Sequence, residues 1–485
     1  MPQVSHTVVG VLYDHFAQAT KAAFPEVEGT IELVQSTQGS FGHYQFNSAM
    51  KLSRQLKLNP RQIAEKIVQA CGLPDFIQKM EVAGPGFINI TLSNSFLQQE
   101  LAGMLEKPHF GIRAANAKKI VIDFSSPNTA KEMHVGHLRS TIIGDCLART
   151  FEFLGSNVLR LNHIGDWGTA FGMLITYLKQ HVPNSIHNLT LTDLVGYYKE
   201  SKKKFDEDPD FKKASQLEVV ALQSGNKEAL GYWEAICQIS RVAYQEIYDL
   251  LGVRLVERGE SFYNPMLADV VADLDKKGLI TVSDGAKCLF LEGFQNREGE
   301  PLPLMIQKSD GGYNYDTTDM AAMRHRIGIE KADRIIIVTD AGQAMHFQMI
   351  FAAAVKAGYI DPQKQRFDHV PFGVVLGADG KKFRTRSGET EKLIDIINAA
   401  VIKAEAILQE RNPEWDENER KSVANALGIN AIKYSDLVSH RISDYVFSYD
   451  KMLRFEGNTA AFVMYSYVRV QGIIRKVGID PKSLI

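Results

Sequence analysis

The sequence predicts an α/β fold. A doubly wound parallel sheet is split by a long insertion, with a small α+β domain ahead of it and a helical region behind. One pattern, occurring twice, carries this expectation. Residues 120–124 read as a buried strand. Leu138, Ile142, Ile143, Cys146, Leu147, Phe151 and Leu154 then recur at the three-to-four spacing of one helical face, Gly155 is the expected stop, and residues 158–164 read as a second strand. Residues 334–338, 343–356 and 370–376 repeat strand, helix and strand, with Gly358 ending the helix. A βαβ unit sets its strands parallel with a right-handed crossover, and ligands gather at the carboxyl ends of such strands.

The elements follow in order. A helical pattern runs from His6 to Ala23 and stops at Pro25, and residues 30–34 alternate as a strand does. Gly84-Pro85-Gly86 separates a short alternating segment, residues 87–90, from a helix that Ser95 would cap. Residues 201–213 are a dense run of mixed charge and read as a solvated connection. A further helix is expected to begin near Glu391.

Composition bounds the rest. With 485 residues, and domains of about 150 residues, the chain should hold about three domains. Apolar residues make up 45% and charged residues 23%, which is globular composition. Lysine plus arginine (55) balance aspartate plus glutamate (57), so no overall basic field announces a polyanion and any nucleic acid must bind locally. Cys71, Cys146, Cys237 and Cys288 lie far apart without a Cys-x-x-Cys pair, which disfavours a zinc knuckle and leaves four lone buried thiols. No signal-like core opens the chain and nowhere do about 18 apolar residues run together, so a cytoplasmic protein is expected.

The first chemical signal is His134-Val135-Gly136-His137, between the first strand and its helix. Two imidazoles three residues apart point to one side of an incipient turn and can donate to phosphate oxygens. The helix N-terminus adds free N–H groups, and Gly136 would let an adenine ring approach the backbone. Composition alone gives about 0.03 chance matches to His-x-Gly-His in this chain. A zinc site would need a further ligand at metalloprotease spacing, and none is present.

The run from Ser125-Ser126-Pro127-Asn128 through Lys131-Glu132-Met133-His134-Val135-Gly136-His137-Leu138-Arg139-Ser140-Thr141 resembles the signature of bacterial arginyl-tRNA synthetases, which are class I enzymes. Asn162-His163-Ile164-Gly165-Asp166-Trp167-Gly168-Thr169 and Gly259-Glu260-Ser261-Phe262-Tyr263 also resemble landmarks of that family, although Ala170 stands where the family usually has glutamine. The resemblance implies a Rossmann catalytic domain split into residues 111–180 and 301–395 by a connecting insertion at 181–300. It also implies an N-terminal tRNA-contacting domain at 1–110, and a helical stem-contact region with the start of an anticodon-binding domain at 396–485. Related proteins continue for about another hundred residues, so a truncated chain is expected, with an uncovered apolar face around Phe462, Val463, Val468 and Ile473.

A second signal is the loop Gly377 to Gly388, with Lys381, Lys382, Arg384 and Arg386 among six residues. A basic loop between glycines suits a polyphosphate that is clamped and then released, although alone it would read as an exposed turn. The Lys-Met-Ser-Lys-Ser loop of class I synthetases is absent, and Phe383-Arg384-Thr385-Arg386-Ser387-Gly388 resembles the variant of many arginyl enzymes. Arg386 stands at the second lysine, and Lys131, just before the histidine motif, occupies the position thought to compensate in the family.

Arginine as a substrate demands buried carboxylates. Asp123 ends the first strand, and Tyr315 and Asp319 share one face if their segment is helical. By resemblance, Tyr315 and Asp319 contact the guanidinium with Asp123 assisting, Asn128 and Gln343 hold the ammonium and carboxylate, and Ser126 belongs to the same arginine site. His134, Gly136, His137, His346 and Phe383 are expected at ATP. His134, Gly136, His137, Lys131, Lys381, Lys382 and Arg386 are expected to act on the reacting phosphates, with Mg2+ accompanying ATP. Phe87 and Asn89 are candidates to stack on and hydrogen-bond a tRNA base, with Phe87 equally readable as core.

The implied reaction forms arginyl-adenylate from arginine and ATP, releases pyrophosphate, and transfers the arginyl group to tRNA(Arg), by an enzyme expected to be monomeric. Two rivals remain at this stage. One is a synthetase-like tRNA-binding protein without chemistry, and the other is a different adenylyltransferase. Amino-acid-dependent pyrophosphate exchange in the presence of tRNA separates all three.

Overall fold

The computed structural model describes residues 7–112, 118–182, 186–296, 298–377, 379–381 and 391–480. Residues 1–114 with 479–485 form one compact unit and residues 115–478 another.

In the first unit α1 (Val8–Ala23), β1 (Leu33–Gln35), β2 (Tyr44–Phe46), α2 (Ser48–Leu56), α3 (Pro60–Cys71), β3 (Ile77–Ala83), β4 (Phe87–Leu92) and α4 (Asn94–Glu106) follow in turn. The strands form an antiparallel sheet in the order β1-β2-β4-β3. Alternation along β4 sends Ile88, Ile90 and Leu92 into a core with Leu12 and Phe16 of α1 and Ile63 and Ile67 of α3. The expected strand at 30–34 begins only at Leu33. The cap of α4 is Ser93, not Ser95: Phe96 N–H donates to its hydroxyl at 3.3 Å.

The second unit opens with β5 (Lys119–Asp123), α5 (Val135–Phe153), β6 (Asn157–Asn162) and α6 (Thr169–His181). The insertion contributes α7 (Leu191–Glu207), α8 (Pro209–Gln223), α9 (Lys227–Leu251), β7 (Val256–Glu257), α10 (Glu260–Lys276), β8 (Thr281–Ser283) and β9 (Ala286–Gln295). Then come β10 (Pro301–Gln307), α11 (Tyr315–Gly328), β11 (Arg334–Asp340), α12 (Ala344–Lys356), β12 (Arg366–Phe372) and β13 (Val375–Leu376). The helical region holds α13 (Leu393–Arg411), α14 (Glu417–Val438), β14 (Tyr445–Val446), α15 (Tyr449–Met452) and α16 (Ala460–Val477). No helix among the described residues is long and apolar enough to cross a membrane.

The central sheet is parallel throughout, in the order β12-β11-β5-β6-β7. Ile120, Ile122, Ile336 and Val338 face a core shared with α5, α9, α13 and α14. Val121, Leu161, Ile335 and Ile337 face the opposite core with α10, α11 and α12. Both faces are covered, as a parallel sheet requires. The chain leaves β5 toward β6 and leaves β11 toward β12, so the winding reverses between β5 and β11, and their carboxyl ends flank the crevice.

Several expectations are corrected here. Residues 201–213 are not a connection but the end of α7 and the start of α8. Asp208 caps α8, and Ser201 and Phe211 are buried. Their inward stripe was hidden because charged residues fill the remaining faces. The expected boundary at 300 falls at the turn of the antiparallel hairpin β9–β10. The strand expected over 370–376 breaks at Gly373, where a Cβ would stand 2.6 Å from Asp444 Oδ1 and 2.7 Å from Ile442 O. β13 therefore leaves the sheet and pairs with β14. Cys146 is half-buried rather than buried.

One arginine ties these regions together. Arg139 of α5 is 1% exposed and pairs with Asp436 of α14 at 3.1 Å. It also donates to the carbonyls of Gly373 (2.6 Å), Arg441 (3.2 Å) and Ser443 (3.3 Å) and lies over the rings of Phe372 and Tyr445.

Candidate active site

His134 is the N-cap of α5, and with His137 it forms a reciprocal capping box. Gly136 N–H donates to His134 Nδ1 at 3.1 Å, and His134 N–H donates to His137 Nδ1 at 3.1 Å. An Nδ1 that accepts leaves the proton on Nε2, so each ring presents one Nε2–H donor. The rings lie 4.1 Å apart between centroids. Burial pulls His134 below its ordinary pKa and, with the nearby His134, pulls His137 down to about 3. Both imidazoles are neutral at physiological pH.

The free backbone donors expected at this helix end are largely engaged. Besides the two bonds above, the N–H groups of His137 and Leu138 donate to His134 O at 2.9 and 3.3 Å. Gly136 has a requirement of its own, since a Cβ would stand 2.9 Å from His134 Cε1. The segment after the basic loop closes on the same turn: His134 bridges Lys392, Leu393 N–H donates to Met133 O at 2.8 Å, and Lys392 pairs with Glu132 at 2.7 Å.

The stretch between β5 and α5 is strained and heavily tied. Ser125, Ser126 and Ala130 have φ of 74°, 50° and 58°, conformations that cost about 1–3 kcal/mol each and persist where surroundings over-determine them. Ser140 Oγ accepts from Ser125 N–H (2.9 Å) while donating to Val338 O (2.7 Å), so it joins β5, α5 and β11. Asn162 Oδ1 accepts from Ser126 N–H at 2.9 Å and Ser240 Oγ from Ala130 N–H at 3.0 Å. The Tyr244 hydroxyl lies 2.6 and 2.7 Å from the carbonyls of Asn128 and Lys131. Asn128 and Lys131 have exposed side chains, and Lys131 Nζ lies 5.5 Å from the Tyr198 ring centroid.

Of the residues expected at arginine, Tyr315 and Asp319 do share the first turns of α11. Asp319 Oδ2 lies 2.6 Å from Nε2 of His346, whose Nδ1 lies 3.4 Å from Asp316 Oδ1. The ring meets Tyr315 edge-on at 5.2 Å. His346, expected at the adenosine, thus has both ring nitrogens directed at carboxylates. Asp123 is not free to face a ligand with its full charge. It is 7% exposed, pairs with the buried Arg326 at 2.5 Å, and accepts from Ser126 Oγ at 3.1 Å. Gln343 is exposed beside Asp340, donating to it at 3.2 Å.

Glu260, Asp166 and Arg326 were missed. Asp166 accepts from Ser261 N–H (2.8 Å) and Ser261 Oγ (2.6 Å), which joins the two landmark segments and seats Glu260 at the start of α10. Burial, then Asp166 and Asp319, push Glu260 up to about 7. The two landmark segments, around Asp166 and around Glu260, were the signals in the sequence for these two, and nothing there marked Arg326. Lys381 is exposed in a turn where its N–H donates to Asp379 at 3.0 Å. Lys382, Phe383 and Arg386 lie outside the described residues. In the first unit Phe87 is half-buried and Asn89, on the same face of β4, is 9% exposed and accepts from Gln45 Nε2 at 2.8 Å. Phe87 therefore points away from the core lined by Ile88 and Ile90.

Residues 100–449 match the catalytic domain of class I tRNA synthetases (R), and residues 11–92 match the arginyl tRNA synthetase N terminal domain. An arginine–tRNA ligase of Protochlamydia amoebophila is 62% identical over 483 residues, covering 97% of this chain and 82% of that protein. The chain belongs to the arginyl-tRNA synthetase family. The crystal structure of arginyl-tRNA synthetase from Plasmodium falciparum superposes with a TM-score of 0.83 at 35% identity, over 97% of this chain and 81% of that one. The Thermus thermophilus arginyl-tRNA synthetase shares the fold, with a TM-score of 0.76 at 22% identity over 98% of this chain and 83% of that one. The activity of this synthetase is arginine–tRNA ligation, with arginine, ATP and tRNA as its substrates. The reading as a tRNA-binding protein without chemistry and the reading as an unrelated adenylyltransferase both fall with this result.

Proposed function

We propose that the synthetase binds arginine with its guanidinium against Asp319, Glu260 and Tyr315 and its ammonium and carboxylate toward Asn128, Ser126 and Gln343. ATP lies across the β5/β11 crevice on the His134 and His137 side. The observation that carries this reading is the cluster of α11 carboxylates, Asp316 and Asp319, gathered with Tyr315 around His346 on the helix after β11, while the histidine pair stands on the helix after β5, on the other side of the switch point. A planar cation with five donors is matched by such a cluster, whereas lysine's compact ammonium would leave carboxylate oxygens unpaired.

The arginine carboxylate attacks the α-phosphorus, the bond to the bridging oxygen breaks, and pyrophosphate leaves with the electron pair. The protein's part is positioning and charge stabilisation. His134 and His137 donate from Nε2 to phosphate oxygens, and Lys131 and Lys381 supply positive charge toward the leaving pyrophosphate. Asp123 acts from behind, fixing Ser126 and neutralised by Arg326. Among the described residues no three His, Cys, Asp or Glu side chains converge as metal ligands. A magnesium ion accompanying ATP would supply further positive charge at the phosphates. Phe87 and Asn89 face a tRNA base from the first unit.

The test is Asp319→Asn, which keeps shape and removes charge, in pyrophosphate exchange with cognate tRNA present. Removing one partner of a buried charged pair costs about 3–5 kcal/mol, so the arginine KM should rise at least about a hundredfold while the ATP KM holds. An unchanged arginine KM would move the pocket elsewhere.

A further inference from the structure

The carboxylate pocket contains its own cation. His346 stands on the first turn of α12 with both ring nitrogens on α11 carboxylates, Nε2 at 2.6 Å from Asp319 and Nδ1 at 3.4 Å from Asp316. Its ring is held edge-on between Tyr315 and Phe347, at 5.2 and 5.0 Å. The two carboxylates are not equivalent. Asp316 is 6% exposed and its other oxygen accepts from Met305 N–H at 2.9 Å, so it is fixed. Asp319 has a single hydrogen-bond partner among the described residues, His346, and its side chain is 20% exposed. A guanidinium approaching Asp319 therefore meets an oxygen already taken by an imidazole.

We propose that His346 is the internal counter-ion of the arginine pocket: the imidazolium holds Asp319 in place, and the substrate guanidinium displaces it from that carboxylate, after which His346 releases its proton to solvent. This rests on the reading that Asp319 binds the guanidinium. Two adjacent carboxylates in a partly buried pocket repel each other and lose hydration unless a cation lies between them, so the exchange keeps the pocket compensated throughout. It also sharpens selection. A bidentate guanidinium replaces the lost imidazolium bond and adds others, whereas an ammonium offers only point contacts. His346 is thus a positioning and specificity-determining residue.

The charges around His346 favour its protonated form. Burial lowers its pKa, but the bond to Asp319 and the charges of Asp319 and Asp316 outweigh burial and raise it. The other titratable groups nearby are Tyr315 on α11, Glu260 on α10 beyond Asp319, and His369 on β12 across the Phe347 ring, with Asp340 beside His369. Glu260 would also favour arginine as pH rises, so affinity against pH does not by itself isolate the histidine.

The deciding measurement is therefore direct. The NMR titration of His346 in the full chain, its signal assigned by loss in His346→Gln, is followed with and without saturating L-arginine. Arginine should lower the midpoint by at least one pH unit, and calorimetry in buffers of different ionisation enthalpy should show proton release on arginine binding that is reduced in His346→Gln, where only the Glu260 share remains, and that keeps the His346 share in Glu260→Gln. Inhibition by L-lysine should strengthen at least threefold in His346→Gln. A midpoint unmoved by arginine, with binding confirmed in the same sample, overturns the proposal and leaves the pocket assignment standing. If Asp319→Asn leaves arginine affinity intact, the pocket assignment itself has failed.

Discussion

Histidines stand on the first turn of two helices, α5 after β5 and α12 after β11, and the two sites favour different charge states of the same side chain. At α5, His134 and His137 spend their Nδ1 atoms on backbone N–H groups, and burial holds them neutral. At α12, His346 spends both nitrogens on carboxylates, whose charges raise its pKa. Neighbours decide, not helix position. In the proposed reading, the phosphate end thus offers donors whose charge does not change through the physiological range, suited to a group that must be let go. In the same proposed reading, the amino-acid end holds a cation that another cation can replace.

The comparison breaks most visibly at His137. His137→Asn can keep the cap, because an amide oxygen can accept at the Nδ1 position, but it loses the Nε2–H donor. Removing one donor from a site of developing charge costs about 10²–10³ in kcat, so pyrophosphate exchange should fall by that factor with the arginine KM held. A Tm within a few degrees of wild type would confirm that the cap survived.

Glu260→Gln should produce the complementary signature, a higher arginine KM with kcat for exchange nearly unchanged. Hydrogen bonds to charged groups are worth about 1.5–3 kcal/mol, or roughly 10- to 150-fold in KM. An equal loss in kcat would place Glu260 at the reacting end instead.

Stability against pH separates the two histidine sites by sign. His137 titrates near 6.5 when unfolded and at about 3 when folded, so its neutral form favours the fold. That contribution is complete above pH 6.5 and is lost as pH falls toward 3, at up to about 1.4 kcal/mol per pH unit. His346 has a raised folded pKa, so its contribution is complete below its unfolded value and lost as pH rises through the folded one. Melting curves from pH 4.5 to 8 should lose part of the acid-side slope in His137→Asn and part of the alkaline-side slope in His346→Gln. Identical slopes in all three proteins would refute the contrast.

The smallest effect belongs to Ser261→Ala, which removes one of the two hydrogen bonds holding Asp166. A loss of about 1 kcal/mol should appear as a several-fold higher arginine KM through a looser Glu260, without a change in the ATP KM.

What the sequence disclosed and what it withheld divide along chain separation. The histidine pair was readable because cap, partner and glycine fall within four residues, and Tyr315 with Asp319 because one helical turn joins them. The Asp166–Ser261 bond spans 95 residues and the Asp123–Arg326 pair 203, so no local pattern records them. For the same reason nothing in the sequence showed that the charge of Asp123 is met from inside by Arg326, or that the ring nitrogens of His346, expected at the adenosine, meet carboxylates on another helix. The parallel sheet and its reversal point were legible from period and order. The break at Gly373 was not, because its cause is the close approach of the Ile442 and Ser443 backbone and the Asp444 carboxylate, some 70 residues further along.

The Arg139 clasp has a consequence for synthesis. The guanidinium belongs to the fifth residue of the helix that carries His137, yet its carboxylate partner is 297 residues further along and its carbonyl partners lie 234 to 304 residues on. A ribosome adding about 5–20 residues per second needs about 15–60 s to make that stretch. During that interval a cation destined for full burial has no carboxylate to pair with, and the Gly373 carbonyl is the first of its partners to be made, so the start of α5 cannot dock without leaving that charge uncompensated. The catalytic helix of a nascent chain should therefore stay open to proteases until residues 436–443 have left the exit tunnel.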